Sequence, residues 1–220
     1  MNNPTKEAAP DAPAGPVSRN AARTRQNIID AATEEFASLG LGGARIDSIA
    51  ARAGLNKRLL YYYFGNKEAL FQAVLERAYE KIRTAERALQ LDEIDPVEAI
   101  RRLVSFTWHY YIGHPEFMTL LNSENLHQAV HLKNSDQIQA MNSPLIQTLD
   151  KVLEQGRAIG LFRGGIDPLQ LYISIAALSF FYLSNRHTLS VVFGRDLQSG
   201  KAEAERLSHM TELVLGYVLR

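Results

Sequence analysis

The chain has 220 residues, 24 basic against 24 acidic side chains and a formal net charge of zero, so it is not a wholly basic nucleic-acid protein. Its length is ample for a buried core and spans one or two domains. The absence of cysteine excludes a disulfide framework, a cysteine-ligated zinc and a cysteine nucleophile, and suits a reducing cytoplasm. With no apolar run of about 18 residues and no signal-peptide core, no membrane partner is expected.

Residues 1–17 carry Pro4, Pro10, Pro13 and Pro16 among alanines and polar residues, the composition of a disordered arm. Arg19, Arg23 and Arg25 follow. They allow two readings, a solubilising tail or a basic arm that touches DNA. Ile28, Ile29, Ala32, Phe36 and Leu39 recur at helical spacing, which predicts a first helix over about Ala21 to Leu39. The glycines at 40, 42 and 43 are turn residues whose spacing matches no phosphate-cradling loop.

Next comes IDSIAARAGLNKRLLYYYFGNKE, residues 46–68. Ile46, Ile49, Ala50 and Ala53 form one apolar stripe on a helix of about two turns. Gly54 can take a left-handed backbone and end it, and Asn56 is a good N-cap for a helix from Lys57 to Tyr63. Leu60 and Phe64 pack inward, while lysine, arginine and three tyrosines remain on the rest of the surface. Gly65 breaks that helix and Asn66 caps the next. Lys67 then lies at a positive helix end, where a cation is disfavoured unless a phosphate binds nearby. Between Gly40 and Lys67 five basic residues face one acid, Asp47, so this stretch is locally basic. An ordinary amphipathic hairpin with solvated charges has the same spacing; the functional reading is a helix-turn-helix that enters the DNA major groove.

The segment from Thr24 to Ala78 resembles the DNA-binding domain of the tetracycline-repressor (TetR) family. The matches are Ile28, Ala31, Ala32, Phe36, Gly40, Ile49, Ala50, Ala53, Gly54, Lys57, Tyr61, Phe64, Lys67, Glu68 and Leu70. Arg45 stands where the family usually places a capping Ser or Thr, and Arg58 where it usually has a small residue. The resemblance implies a regulator that binds double-stranded operator DNA as a homodimer and answers to a small-molecule effector not yet identified. It also implies a helix-four connector and a four-helix dimer interface made by the last two helices of each subunit.

Helix four is expected over about 67–89, apolar at Leu70, Phe71, Val74, Leu75 and Ala78 and more polar at Lys81, Arg83, Glu86 and Arg87. The acidic stretch before Pro96 is a boundary. Further helices are predicted over about 96–112, 116–126, 135–158 with a break open at Pro144, 168–192 and 201–219. The helix from Pro168 is apolar on nearly all sides, which predicts burial on all sides, and the last two helices carry more apolar surface than one small domain needs.

The expected fold is all-α: an arm over 1–17, a three-helix DNA-binding domain over 18–66 and a helical ligand-binding and dimerisation domain over 67–220. Candidate DNA contacts are Arg45, Lys57, Arg58, Leu59, Tyr61, Tyr62, Tyr63 and Lys67. Lys57 and Arg58 suit the acceptors of guanine and Leu59 a thymine methyl, with Arg45, Tyr61, Tyr63 and Lys67 on phosphates. Candidate pocket residues, at a helical spacing that more often means plain core, are Trp108, Tyr111, Phe117, Asn122, Glu124, His127, Phe181 and Asn185. No cofactor, metal site or catalytic residue is expected: no HExxH or Gly-x-Ser-x-Gly pattern is present. A helical enzyme, a scaffolding module and an activator with the same DNA-binding mode are the alternatives to a repressor.

Overall fold

The computed structural model describes residues 16–220, and the arm expected over 1–17 lies outside them except for its last two residues, which open α1 (Pro16–Gly43). Then come α2 (Ile46–Ala53), α3 (Lys57–Phe64), α4 (Lys67–Arg87), α5 (Pro96–Gly113) and α6 (Pro115–Leu126). The chain closes with α7 (Asp136–Ala158), α8 (Pro168–Phe193) and α9 (Gly200–Val218). No β-strand occurs among the described residues; the only extended pairing there is an isolated bridge between Phe162 and Leu219. Helix α1 is broken at Gly40, whose φ of 66° lies in the left-handed region.

Two cores organise the helices. In the first, Ile28, Ala32 and Phe36 of α1 meet Ile49 and Ala50 of α2, Leu60 of α3, and Leu70, Phe71 and Val74 of α4. The Phe36 and Phe71 rings pack edge to face at 5.0 Å. Leu120 of α6 and Ile138 of α7 complete this core, so the helix-turn-helix is seated on the C-terminal helices. In the second core, Ile82 of α4 joins Ile100, Leu103, Val104 and Trp108 of α5, Leu149 and Val152 of α7, Ile175 of α8 and Val214 of α9. Helix α4 thus belongs to both cores, and its 21 residues make a rod of roughly 32 Å between them.

Three expectations change. Arg83 and Glu86 are buried and face each other, because α7 packs along that face of α4 and Tyr172 of α8 reaches over to Arg83. Pro144 does not break α7, which runs through it. Helix α8 is buried along one face only, through Leu171, Ile175, Ser179, Tyr182 and Leu183. Its neighbours α5, α7 and α9 cover that side, and Leu169, Ile173, Phe181, Val191, Val192 and Phe193 remain exposed.

Candidate DNA interface and effector cavity

The helix-turn-helix is held mostly by local bonds. Arg45 precedes α2 with an extended backbone and makes no side-chain cap, and its own N–H donates to Glu35 of α1 at 3.3 Å. Asn27 of α1 donates through its amide nitrogen to the carbonyl of Ala53 at 2.9 Å. Helix α1 therefore grips both ends of α2. Gly54 is left-handed at φ 66°, and its N–H and that of Leu55 return to the carbonyls of Ala51 and Ala50. The Asn56 side chain caps α3 by accepting from the Leu59 N–H at 3.1 Å, and Asn66 caps α4 by accepting from the Ala69 N–H at 2.7 Å. Between them Gly65 has φ 76°.

Helix α3 buries only Leu60. Lys57, Arg58, Tyr61 and Tyr62 are exposed, with Tyr62 at 80%, and Leu59 and Tyr63 are half-buried. Leu60, with the half-buried Tyr63 and Phe64 packed on the same core, ties α3 down along one side, and the rest of its surface faces outward. Lys57 forms an exposed ion pair with Asp47 at 3.2 Å, and Arg52 pairs with Glu34 at 2.7 Å. Arg45, Arg58 and Lys67 form no ion pair among the described residues. Lys67, half-buried, opens α4 at its positive end.

The second site lies between the connector and the C-terminal helices. A cavity of about 350 Å³ is walled by Tyr79 and Arg83 of α4, Tyr111 of α5, Phe117 of α6, Ile146 of α7 and Tyr172 of α8. Arg83 donates through Nη1 to Glu86 Oε2 at 2.5 Å and through Nη2 to the Tyr172 hydroxyl at 2.7 Å. Its Nε–H is buried without a partner. A smaller cleft on the same side chains, about 80 Å³, runs toward Asp92 and Thr148. Burial pushes the Glu86 carboxyl up to about 7 against the opposing pull of Arg83. Burial also raises the hydroxyls of Tyr79, Tyr111 and Tyr172, so all three stay protonated donors at neutral pH.

Of the pocket residues expected from sequence, Tyr111 and Phe117 line this cavity. Asn122 lines a separate cleft of about 250 Å³ with Tyr111, Met118 and Arg186. The remaining five are placed elsewhere. Trp108 is sealed in the core with its ring 5.6 Å from Tyr182. Buried Glu124 accepts from the N–H groups of His131 and Leu132 and meets His131 Nδ1 at 2.6 Å, so its carboxylate orders the α6–α7 turn. His127 is exposed, with Nδ1 2.7 Å from the Ser123 carbonyl. Phe181 is 60% exposed, and Asn185 bonds back to its carbonyl along the same helix. Among the described residues no group of three potential metal ligands occurs. The wall residues that sequence reasoning missed, Tyr79, Arg83 and Tyr172, come from helices far apart in the chain and carry no local signal.

The head joins the C-terminal helices through polar bonds as well. Ser123 of α6 accepts from the Leu41 N–H at 3.3 Å, Ser135 donates to Glu76 of α4 at 2.8 Å, and the Phe71 ring meets His131 at 5.1 Å.

Comparison with known proteins agrees with this geometry. Residues 28–74 match the family described as bacterial regulatory proteins, tetR family, and residues 96–214 match the tetracyclin repressor-like C-terminal domain. The HTH-type transcriptional repressor NicS of Pseudomonas putida is 45% identical over 197 residues, 90% of this chain and 93% of that protein. A crystal structure of a putative transcriptional regulator from Streptomyces coelicolor superposes with a TM-score of 0.66 at 26% identity, over 89% of this chain and 98% of that one. FadR from Bacillus subtilis, solved in complex with stearoyl-CoA, shares the fold with a TM-score of 0.62 at 18% identity, over 87% of this chain and 98% of that one. No helix among the described residues is long and apolar enough to cross a membrane.

Proposed function

The chain belongs to the TetR family and is a transcriptional repressor of that family, and we propose that it binds a pseudo-palindromic operator as a homodimer and is released by a small molecule. The observation that carries this reading is α3, an eight-residue helix with one buried side chain and a solvent face of Lys57, Arg58, Tyr61 and Tyr62. Lys57 and Arg58 read base edges and Leu59 meets a thymine methyl. Arg45, Tyr61, Tyr63 and Lys67 hold phosphates and set register, with Tyr62 on the same face. Lys57 exchanges Asp47 for DNA, an exchange of low cost because an exposed pair contributes only about 0–1 kcal/mol. The site of action is the cytoplasm, where operator DNA is reached.

The uncovered apolar face of α8, with Leu213 and Tyr217 of α9, supports dimerisation by a two-fold axis. Phe181→Glu places a charge on that face, and sedimentation is expected to find a monomer. An unchanged dimer moves the interface elsewhere.

The effector reading rests on the cavity that α4 walls at one end while the same helix carries the head's core residues at the other. A ligand that shifts α4 changes the head spacing, and by linkage operator DNA weakens ligand binding by the same factor. Selection of bound DNA from a random duplex pool tests the whole reading. An inverted repeat is expected; no enrichment at low or moderate salt defeats it.

A further inference from the structure

The cavity has a donor-rich wall. Arg83 is its only cation, and the Nε–H of that guanidinium is buried with no partner. A buried unpaired donor is disfavoured by about 1–3 kcal/mol, so an acceptor that reaches it as the Arg83 side chain shifts recovers that cost. Tyr79, Tyr111 and Tyr172 supply three further hydroxyls. Their rings and that of Phe117 give the wall flat apolar faces beside the aliphatic Leu121, Leu145, Ile146, Leu169, Ile173 and Ala176, with Tyr111 and Phe117 stacked at 6.0 Å and Tyr79 edge-on to Phe117 at 5.7 Å. A cation meets like charge there, and a neutral apolar ligand leaves Nε unpaired.

Resting on the effector reading above, we propose that the cavity takes a small planar organic anion, an aromatic carboxylate of one or two rings, whose charged end pairs with Arg83. Arginine forks match carboxylates in two-pronged geometry. Glu86 is the resident anion on Arg83 and engages it through Oε2. With its carboxyl pushed up to about 7, Glu86 can take a proton from solvent as the ligand's carboxylate replaces it, so that one anion enters and one proton is taken up. The groups that face Glu86 are Arg83 and Arg87 on its own helix, Tyr110 and Tyr111 on α5, Tyr172 on α8 and Asp92 before α5. The α7 residues on that side, Met141, Leu145 and Thr148, carry no charge.

The test is calorimetry on the full-length protein with matched probes: benzoate against benzamide, 2-naphthoate against 2-naphthamide, and indole-3-acetate against indole-3-acetamide. At least one acid is expected to bind tenfold or more tighter than its amide, about 1.4 kcal/mol. Its affinity is expected to fall about tenfold per pH unit above the Glu86 midpoint. Because Arg83→Met alone strands a buried carboxylate, the companion variant is Arg83→Met with Glu86→Leu, which replaces the pair by apolar groups of similar volume. That variant, checked for fold by circular dichroism, is expected to bind acids no better than amides. Acids and amides that bind alike, or no acid bound up to about 10 mM, overturn the proposal. Amides that bind alike and displace operator DNA leave the effector reading intact. An acid that binds through Arg83 without changing operator affinity keeps the anion site and removes the effector reading.

Discussion

Helix α3 and the α4–α8 cavity are built in opposite ways. The first is local: Gly54, Asn56, Gly65 and Asn66 set its ends within about a dozen residues, and Leu60, with the half-buried Tyr63 and Phe64, ties it down. The second is assembled from five helices, and its central contact, Arg83 to Tyr172, spans 89 positions of sequence. A surface that must present side chains outward needs few tertiary partners. A cavity exists only because distant helices fail to fill the space between them.

The contrast can be tested where the two regions meet. Phe71 packs on Phe36 in the head and on His131 beside the α6–α7 turn. Phe71→Ala is expected to destabilise the protein by about 3–5 kcal/mol in one cooperative transition, read by thermal and urea melts. Two separate transitions would mean that the head is an independent unit.

On the cavity side, Glu86 has a carboxyl raised in the fold from 4.5 to about 7. A raised carboxyl contributes stability that is complete below the unfolded value and is lost as pH rises through the folded one. Wild type is therefore expected to lose up to about 3 kcal/mol relative to Glu86→Gln between pH 4.5 and pH 8, in urea melts across that range. Parallel pH profiles for the two proteins would show that the Arg83 pair offsets the burial of the charge.

Within α3, Arg58→Ala is expected to cost about 1–3 kcal/mol on the cognate operator and to relax preference at one base pair. An unchanged sequence preference removes its reading role. Lys67→Ala is the smallest effect: a similar weakening on every sequence and a salt dependence flatter by about one unit of slope. A loss confined to cognate DNA moves Lys67 from phosphate to base.

The ends of α2, α3 and α4 were legible because each rests on residues that act within about three positions, and the chain's all-helical class followed from periodicity. Legibility faded with sequence distance. Trp108, Tyr111 and Phe117 share one pattern, aromatics on apolar helices, yet the first is core and the other two line a void. Periodicity says that a side chain faces inward, not whether its neighbours reach it. The hold on the start of α2 was hidden for the same reason: Glu35 accepts the Arg45 N–H from a different helix.

By itself, then, the amino-acid order determined the helices, their caps, the basic face of α3 and the apolar surplus of α8, all consequences of bonds and faces within a few turns. Tertiary structure alone decided that Arg83 and Glu86 are buried together, that α4 serves two cores, and that one face of α8 is left bare. Burial is a property of what packs against a residue, and those partners are set by the fold rather than by the neighbouring letters of the chain.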